Sequence, residues 1–416
     1  MTGRRIFLTL LVLIFGLASQ VSAASYPLII QIAPLSSITT IASTLGGTVV
    51  DNIPGTNTYL LNVPVVPSST IASLLGIQLM ELNTGVTLPG FVQVGVLAVP
   101  PGTPPDWYKA QPSMLLIRSA NALAYSRGRG VVVADINSKV DVGHPALIGH
   151  LTSGYDFVTN KPSGTSALNQ SSSSFVDQSS SSFVDQSSSS FVDQSSSSFV
   201  DTSSILDAGN PAYSHGTLCA GIIAVVAPDS MIMPLRAFDD QGSADIFTLA
   251  KAIRYAVQQG AQVINMSFGT LQNSQTLKSA VSYAQERNVI LVASAGNNNT
   301  SAPQYPAAFS GVLTTAATDL LDKKASFSNY GSVVYVDAPG TNIFSSYPGG
   351  YYSIASGTSF SAPAIAGTAA LIRSLKATGV ANSIAAGAIN IDSQNPDYVQ
   401  QLGYGRIDVL NAVEPN

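Results

Sequence analysis

The chain offers little sulfur, imidazole or charge to build a function from. Its one cysteine, Cys219, rules out an internal disulfide framework. Three histidines, His144, His150 and His215, are all that is available for imidazole chemistry. Charged residues are 10% of the chain, no Lys- or Arg-rich run occurs, and the net charge is −5. That sign and sparseness argue against nucleic acid as a partner. What the chain has in quantity is apolar: hydrophobic residues are 45%, enough for a large core and too many for global disorder.

The one apolar run near membrane-spanning length stands at the start, in MTGRRIFLTLLVLIFGLASQVSA. Arg4 and Arg5 give a positive head, Ile6 to Leu17 an apolar core, and Val21-Ser22-Ala23 a small-residue cleavage site. A membrane anchor is the alternative, but a span needs about 20 apolar residues and this run is shorter. The expectation is a signal peptide over 1–23 and a secreted or periplasmic protein, free of the membrane after cleavage. The arginine pair resembles a twin-arginine signal, although so apolar a core suits the general secretory route better.

From Ser25 the pattern reads β-α-β-β-α-β. Strands are expected at Leu28–Ile32, Thr48–Val50, Thr58–Val63 and IQLMEL, with helices near Ser37–Leu45 and at SSTIASLLG. This is the split βαβ, ferredoxin-like arrangement, a small α+β domain placed at 24–90. Pro100, Pro101, Pro104 and Pro105 then mark 91–106 as a semi-rigid linker. Past Trp107 short, nearly all-apolar strands alternate with helical stretches such as DIFTLAKAIRYAVQQG. That alternation implies an α/β fold of three layers, a mainly parallel central sheet covered by helices on both faces. Sites in such sheets lie at the carboxyl ends of the strands.

Three residues stand where chemistry is expected. Asp135 ends the apolar strand Gly130–Ala134, His215 opens a helix of small apolar residues, and Ser359 opens another. A hydroxyl at a helix N-terminus feels the positive end of the macrodipole, which favours a developing oxyanion nearby. A serine nucleophile needs a base, and the base needs an orienting acid. Asp, His and Ser occur in that order.

The stretches D-x-N-x-x-V-D-x-x-H-P at Asp135, SHGTLCAG at His215, SAGN at Asn297 and GTSFSAP at Ser359 resemble the subtilisin-like serine proteases, the subtilase family. The resemblance covers nearly all of Trp107 to Val413 and implies a catalytic domain at 107–416. It implies Ser359 as nucleophile, His215 as general base and acid, Asp135 as the group that holds the imidazole, and Asn297 as an oxyanion-hole donor. Ser267-Phe268-Gly269 and Gly242-Ser243-Ala244 resemble the two edges between which an extended polypeptide substrate adds as a strand. Gln304 precedes Tyr305-Pro306, a cis position in the family, and stands where a small residue is common. A narrowed or more polar P1 pocket is expected. By the same resemblance the first domain is an intramolecular inhibitor and chaperone, a propeptide, with an ordinary binding module as the alternative. The mature protein is expected to be a monomer without cofactor or metal.

Two features depart from the family. Its usual D-[ST]-G-hydrophobic-Asp becomes DINSKVD here, read as two extra residues in the turn, with Asp141 as the rival acid. The helix after His215 also lacks the calcium-binding interruption that many members carry. Cys219 matches a cysteine found in some branches, where it lies beneath the imidazole, either as a small buried hydrophobe or as a functional thiol.

The octad QSSSSFVD is written four times from Gln170 to Asp201. On a helix its Phe series would turn about 80° per repeat and form no stripe. Stacked strand-plus-turn units and a largely disordered tract both remain open. The insertion, taken as 169–200, falls between Asp135 and His215 and reads as an expanded surface loop. An inactive subtilase scaffold, with the octads as an adhesive contact surface, is the alternative to a peptidase.

Overall fold

The structure, a computed structural model, describes residues 25–99, 104–163, 210 and 212–414. The signal-peptide and octad expectations lie outside the described residues. Among those described, no helix is long and apolar enough to cross a membrane. The chain parts into two compact units between Thr84 and Gly85.

The first unit has the expected order: β1 (Tyr26–Ile32), α1 (Ile38–Thr44), β2 (Thr48–Asn52), β3 (Thr58–Val63), α2 (Ser69–Leu74) and β4 (Ile77–Leu82). Its antiparallel sheet runs β2-β3-β1-β4. Ser37 and Ser68 cap the two helices by accepting the Thr40 and Ile71 amides, donors that the first helical turn leaves free. Leu28, Ile30, Ile41, Leu61 and Val63 form the core between helices and sheet.

The second unit begins with two strands, β5 (Gly85–Thr87) and β6 (Val92–Leu97). After short helical turns come β7 (Val132–Asn137), β8 (Gly154–Asp156), β9 (Lys161–Ser163) and α3 (His215–Val226). Next follow β10 (Met231–Arg236), β11 (Ser243–Asp245), α4 (Ile246–Gln258), β12 (Val263–Met266) and α5 (Gln275–Gln285). The unit closes with β13 (Ile290–Ser294), β14 (Leu313–Thr318), β15 (Val336–Pro339), β16 (Ile343–Tyr347), β17 (Tyr351–Ser356) and α6 (Thr358–Leu375), then two shorter helices. Eight strands form the central sheet in the order β15-β14-β13-β12-β7-β10-β8-β9. All its pairings are parallel except β8 with β9. The fold is the expected α/β layered domain, with α3 and α6 packed into one core with the sheet.

Two expectations change. The stretch read as linker contains β6, paired antiparallel with β17 from Leu97↔Tyr352 to Val92↔Ser356. Its alternating VQVGVL suits a sheet edge, and the prolines follow only after it. The strand expected to end at Ala134 also continues two residues past Asp135, because Leu235↔Ile136 and Arg236↔Asn137 extend its pairing with β10.

Candidate active site

α3 enters the site at its first residue and is fixed along its length. Hydroxyls of Tyr108, Ser345 and Ser346 donate to the Gly221, Leu218 and Thr217 carbonyls at 2.7, 2.6 and 2.8 Å. Beside His215, Gly216 lies so close to the backbone of Ser138 that a methyl group there would sit 2.6 Å from its carbonyl oxygen. The helix end and the loop after β7 are therefore locked together, and His215 is fully buried.

Ser359 sits in the first turn of α6, also fully buried. Four residues on, Pro363 has no N–H to give the Ser359 carbonyl. A buried carbonyl needs a donor. Ser267 Oγ supplies one at 3.0 Å and Cys219 Sγ another at 3.4 Å. That assigns Cys219 a structural task beneath the imidazole, where its sulfur lies 3.8 Å from His215 Nδ1. Ser359 Oγ donates weakly to the Ser267 carbonyl at 3.4 Å, and His215 Nε2 has no hydrogen-bond partner among the described residues. Among the described residues no hydrogen bond joins the Ser359 hydroxyl to that nitrogen, and nucleophile–base hydrogen bonds often tighten only in the reacting complex.

Asn297 is oriented by Thr358. Its Oδ1 accepts from the Thr358 amide at 2.9 Å and from the Thr358 hydroxyl at 2.8 Å, which leaves Nδ2 facing outward. That Nδ2 donates to the carbonyl of Gly90 at 2.9 Å. The chain thus supplies an occupant for its own cleft. Gly85, Val86 and Thr87 pair antiparallel with Asp245, Ala244 and Ser243, and the Leu88 amide donates to the Gly242 carbonyl at 2.8 Å. The next side chain, Phe91, lies 5.7 Å from the His215 ring and edge-on to Phe360.

Of the opposite edge, Ser267 joins the polar contacts already described, while the Phe268 ring is buried against Phe238 and leaves only backbone for a substrate. Gln304 reaches in between two glycines: a methyl group at Gly269 or Gly296 would sit 2.7 or 2.5 Å from its Oε1. The Tyr305–Pro306 peptide is cis.

The acid stands elsewhere than expected. Among the described residues no hydrogen bond or ion pair joins Asp135 to His215; Nδ1 meets Asn137 Oδ1 at 2.6 Å. Asp135 lies one side chain further back, fully buried, where its oxygens accept from Asn265 Nδ2 at 2.8 Å and from Asn137 Nδ2 at 3.3 Å. Because β7 runs on to Asn137, that residue takes the strand-end position nearest the imidazole. Counting back from His144-Pro145 in the sequence finds it: Asn137 to Asp141 has the family spacing with nothing inserted. Burial pushes the Asp135 carboxyl up to about 7, against the lowering effect of its amide donors. Burial alone pushes His215 down to about 3. Asp141 is remote from this chemistry: its carboxylate accepts from the Gly143 and Gly349 amides. His144 is structural, with Nδ1 accepting from the Ala146 amide and Nε2 donating to the Tyr351 carbonyl. Among the described residues, no three His, Cys, Asp or Glu side chains gather closely enough to hold a metal ion.

The sequence pattern of the subtilase family, peptidase S8, matches residues 128–405. Thermitase from Thermoactinomyces vulgaris is 33% identical over 308 residues, 72% of this chain and 94% of thermitase. The thermophilic serine proteinase of Bacillus sp. (strain AK1) is 35% identical over 298 residues, 68% of this chain and 62% of that protein. The crystal structure of fervidolysin from Fervidobacterium pennivorans, described as a keratinolytic enzyme related to subtilisin, superposes with a TM-score of 0.72 at 22% identity. That match covers 95% of this chain and 61% of fervidolysin, and it bears on the fold alone.

Proposed function

The chain belongs to the subtilase family of serine peptidases, and on that premise we propose that it is an exported endopeptidase that first cuts its own Gly90–Phe91 bond and then acts on other polypeptides. The observation that carries this is the Gly90 carbonyl on Asn297 Nδ2, with β5 laid along β11 as a substrate strand would be.

In the first half-reaction, Ser359 Oγ adds to the Gly90 carbonyl carbon as His215 Nε2 takes its proton. The oxyanion forms against Asn297 Nδ2. Collapse breaks the Gly90–Phe91 bond, and the Nε2 proton passes to the departing Phe91 amine, leaving Gly90 as an ester on Ser359. Water, deprotonated by Nε2, then releases a Gly90 carboxylate and restores the serine. The released segment keeps β5, whose backbone hydrogen bonds make it a product inhibitor until it leaves. The later substrates are polypeptides bound as strands along Gly242–Ala244, and the mature enzyme is a monomer.

Gln304 supports a preference for small P1 residues. Its amide fills the space between Gly269 and Gly296 beside Asn297, and the residue in the P1 place, Gly90, has no side chain to seat there.

One observation favours the other reading, an inactive scaffold: the imidazole meets an amide rather than a carboxylate. The two readings part on a simple test. Chain expressed from Ala24 is treated with a fluorophosphonate probe beside its Ser359→Ala counterpart. Labelling of the first but not the second supports the peptidase; equal absence of label leaves the scaffold.

A further inference from the structure

An asparagine beside a catalytic imidazole can face it with either end of its amide, and the two ends have opposite consequences. If Nδ2 faced Nδ1, it would donate, Nδ1 would have to be the bare nitrogen, and the proton would sit on Nε2, where the nucleophile needs a base. A wrong tautomer at this position costs about 10⁴-fold in kcat. If Oδ1 faces Nδ1, it accepts, the proton stays on Nδ1, and Nε2 keeps its lone pair.

Here two one-sided partners decide the matter. The Ser138 amide, which can only donate, sits 2.8 Å from Asn137 Oδ1. The Asp135 carboxylate sits 3.3 Å from Asn137 Nδ2 through both oxygens and, when ionised, can only accept. Asp135 is itself held by Asn265 Nδ2 at 2.8 Å, from the strand-paired position on β12. Asp135 and Asn137, two residues apart on β7, project to one face, so the strand's own period builds the row carboxylate, amide, imidazole.

We propose that Asn137 orients His215 for catalysis and that Asp135 is the positioning residue that fixes the Asn137 amide with its oxygen toward Nδ1. Asp135 thus acts one amide removed from the imidazole. The buried charge still stabilises the imidazolium formed during reaction, relayed through the amide dipole. Loss of that charge removes one of the two one-sided partners that hold the amide, so activity falls on the acid side as Asp135 takes a proton. Among the described residues Cys219 of α3 is the titratable group beside the ring, and Asp135 of β7 stands one amide further back. β12, the segment that follows it and α6 present Asn265, Ser267 and Ser359 in turn, none of them charged, and Phe91 and Phe360 flank the ring.

The tautomer arm of the test needs no activity, so it is independent of the peptidase reading on which the kinetic arm rests. Full chain carrying Ser359→Ala is labelled with ¹⁵N-histidine, and its three imidazoles are read by long-range ¹H–¹⁵N spectra. His215 is expected to carry its proton on Nδ1; a proton on Nε2 overturns the proposal. In the Ser359 chain, Asp135→Val is expected to lower kcat between about 10-fold and 10⁴-fold with KM held, and to remove the acid-side limb of the pH profile. The exchanged pair, Asp135→Asn with Asn137→Asp, places the charge directly on Nδ1 and is expected to restore kcat. Wild-type kcat and pH profile in Asp135→Val, or an exchanged pair as slow as Asp135→Val, would overturn it.

Discussion

Replacing Gln304 by glycine should convert a peptidase for small P1 residues into one that accepts large apolar residues. Gln304 Oε1 stands where a methyl group on either Gly269 or Gly296 would collide with it. Among the described residues its side chain makes one polar tie, and that is long, Nε2 to Asn298 Oδ1 at 3.4 Å. Little local structure is therefore lost with the side chain. What is gained is space between two glycine backbones, where a P1 leucine or phenylalanine can be buried. Full burial of such a side chain stabilises by about 1.5–3 kcal/mol, or roughly 10- to 150-fold in kcat/KM when realised in the transition state. The assay uses four peptides that differ only in P1: Gly, Ala, Leu and Phe. Wild type should rank Gly and Ala first. Gln304→Gly should raise Leu and Phe by about 10- to 100-fold, with Gly changing least. A wild type that already prefers Phe, or a variant that keeps the wild-type order, would refute the reasoning.

Other outcomes follow from the packing around the site. Ser267→Ala removes the hydroxyl that serves the carbonyl left free by Pro363, and should lower unfolding stability by about 1–3 kcal/mol and slow fluorophosphonate labelling; an unchanged denaturation midpoint and labelling rate would count against that role. Burial raises the Asp337 carboxyl well above its ordinary range, with Asp322 and Asp392 adding to the rise, and neither of its oxygens has a hydrogen-bond partner among the described residues. A raised folded-state pKa means stability that is present below the unfolded pKa and lost as pH rises through the folded one. Asp337→Asn should therefore gain in Tm over wild type as pH is raised from 4 to 9, whereas parallel Tm curves would show that the carboxyl does not titrate as argued. Deleting Gln170–Asp201 removes the four octads from a connection whose described flanks are β9 and the start of α3. Fluorophosphonate labelling should survive the deletion, and its loss would give the repeat a part in building the site.

His215, Ser359 and Asn297 stand out in the sequence because each lies in a short run whose neighbours have local tasks: Gly216 against Ser138, Thr358 on Asn297, Pro363 freeing a carbonyl. The two-layer first unit and the parallel sheet were legible for a similar reason, as hydrophobic period follows burial. Asp135 draws the eye because the apolar run ends there, although the strand does not. Backbone pairing with β10 does not depend on side-chain polarity, and it carried the strand on through Asn137. The occupant of the cleft left no local signal. Gly85–Thr87 and Ser243–Asp245 are three residues each, and only their pairing across a long stretch of chain gives either one meaning.

The central claim is that Ser359 cuts the chain at the bond whose carbonyl rests on Asn297. The direct measurement is the N-terminal sequence and intact mass of protein expressed from Ala24, wild type beside Ser359→Ala. The account predicts a new chain beginning at Phe91 in the wild type and an uncut chain in the variant. A wild type that stays uncut, or a chain that begins at Phe91 in both, would contradict it.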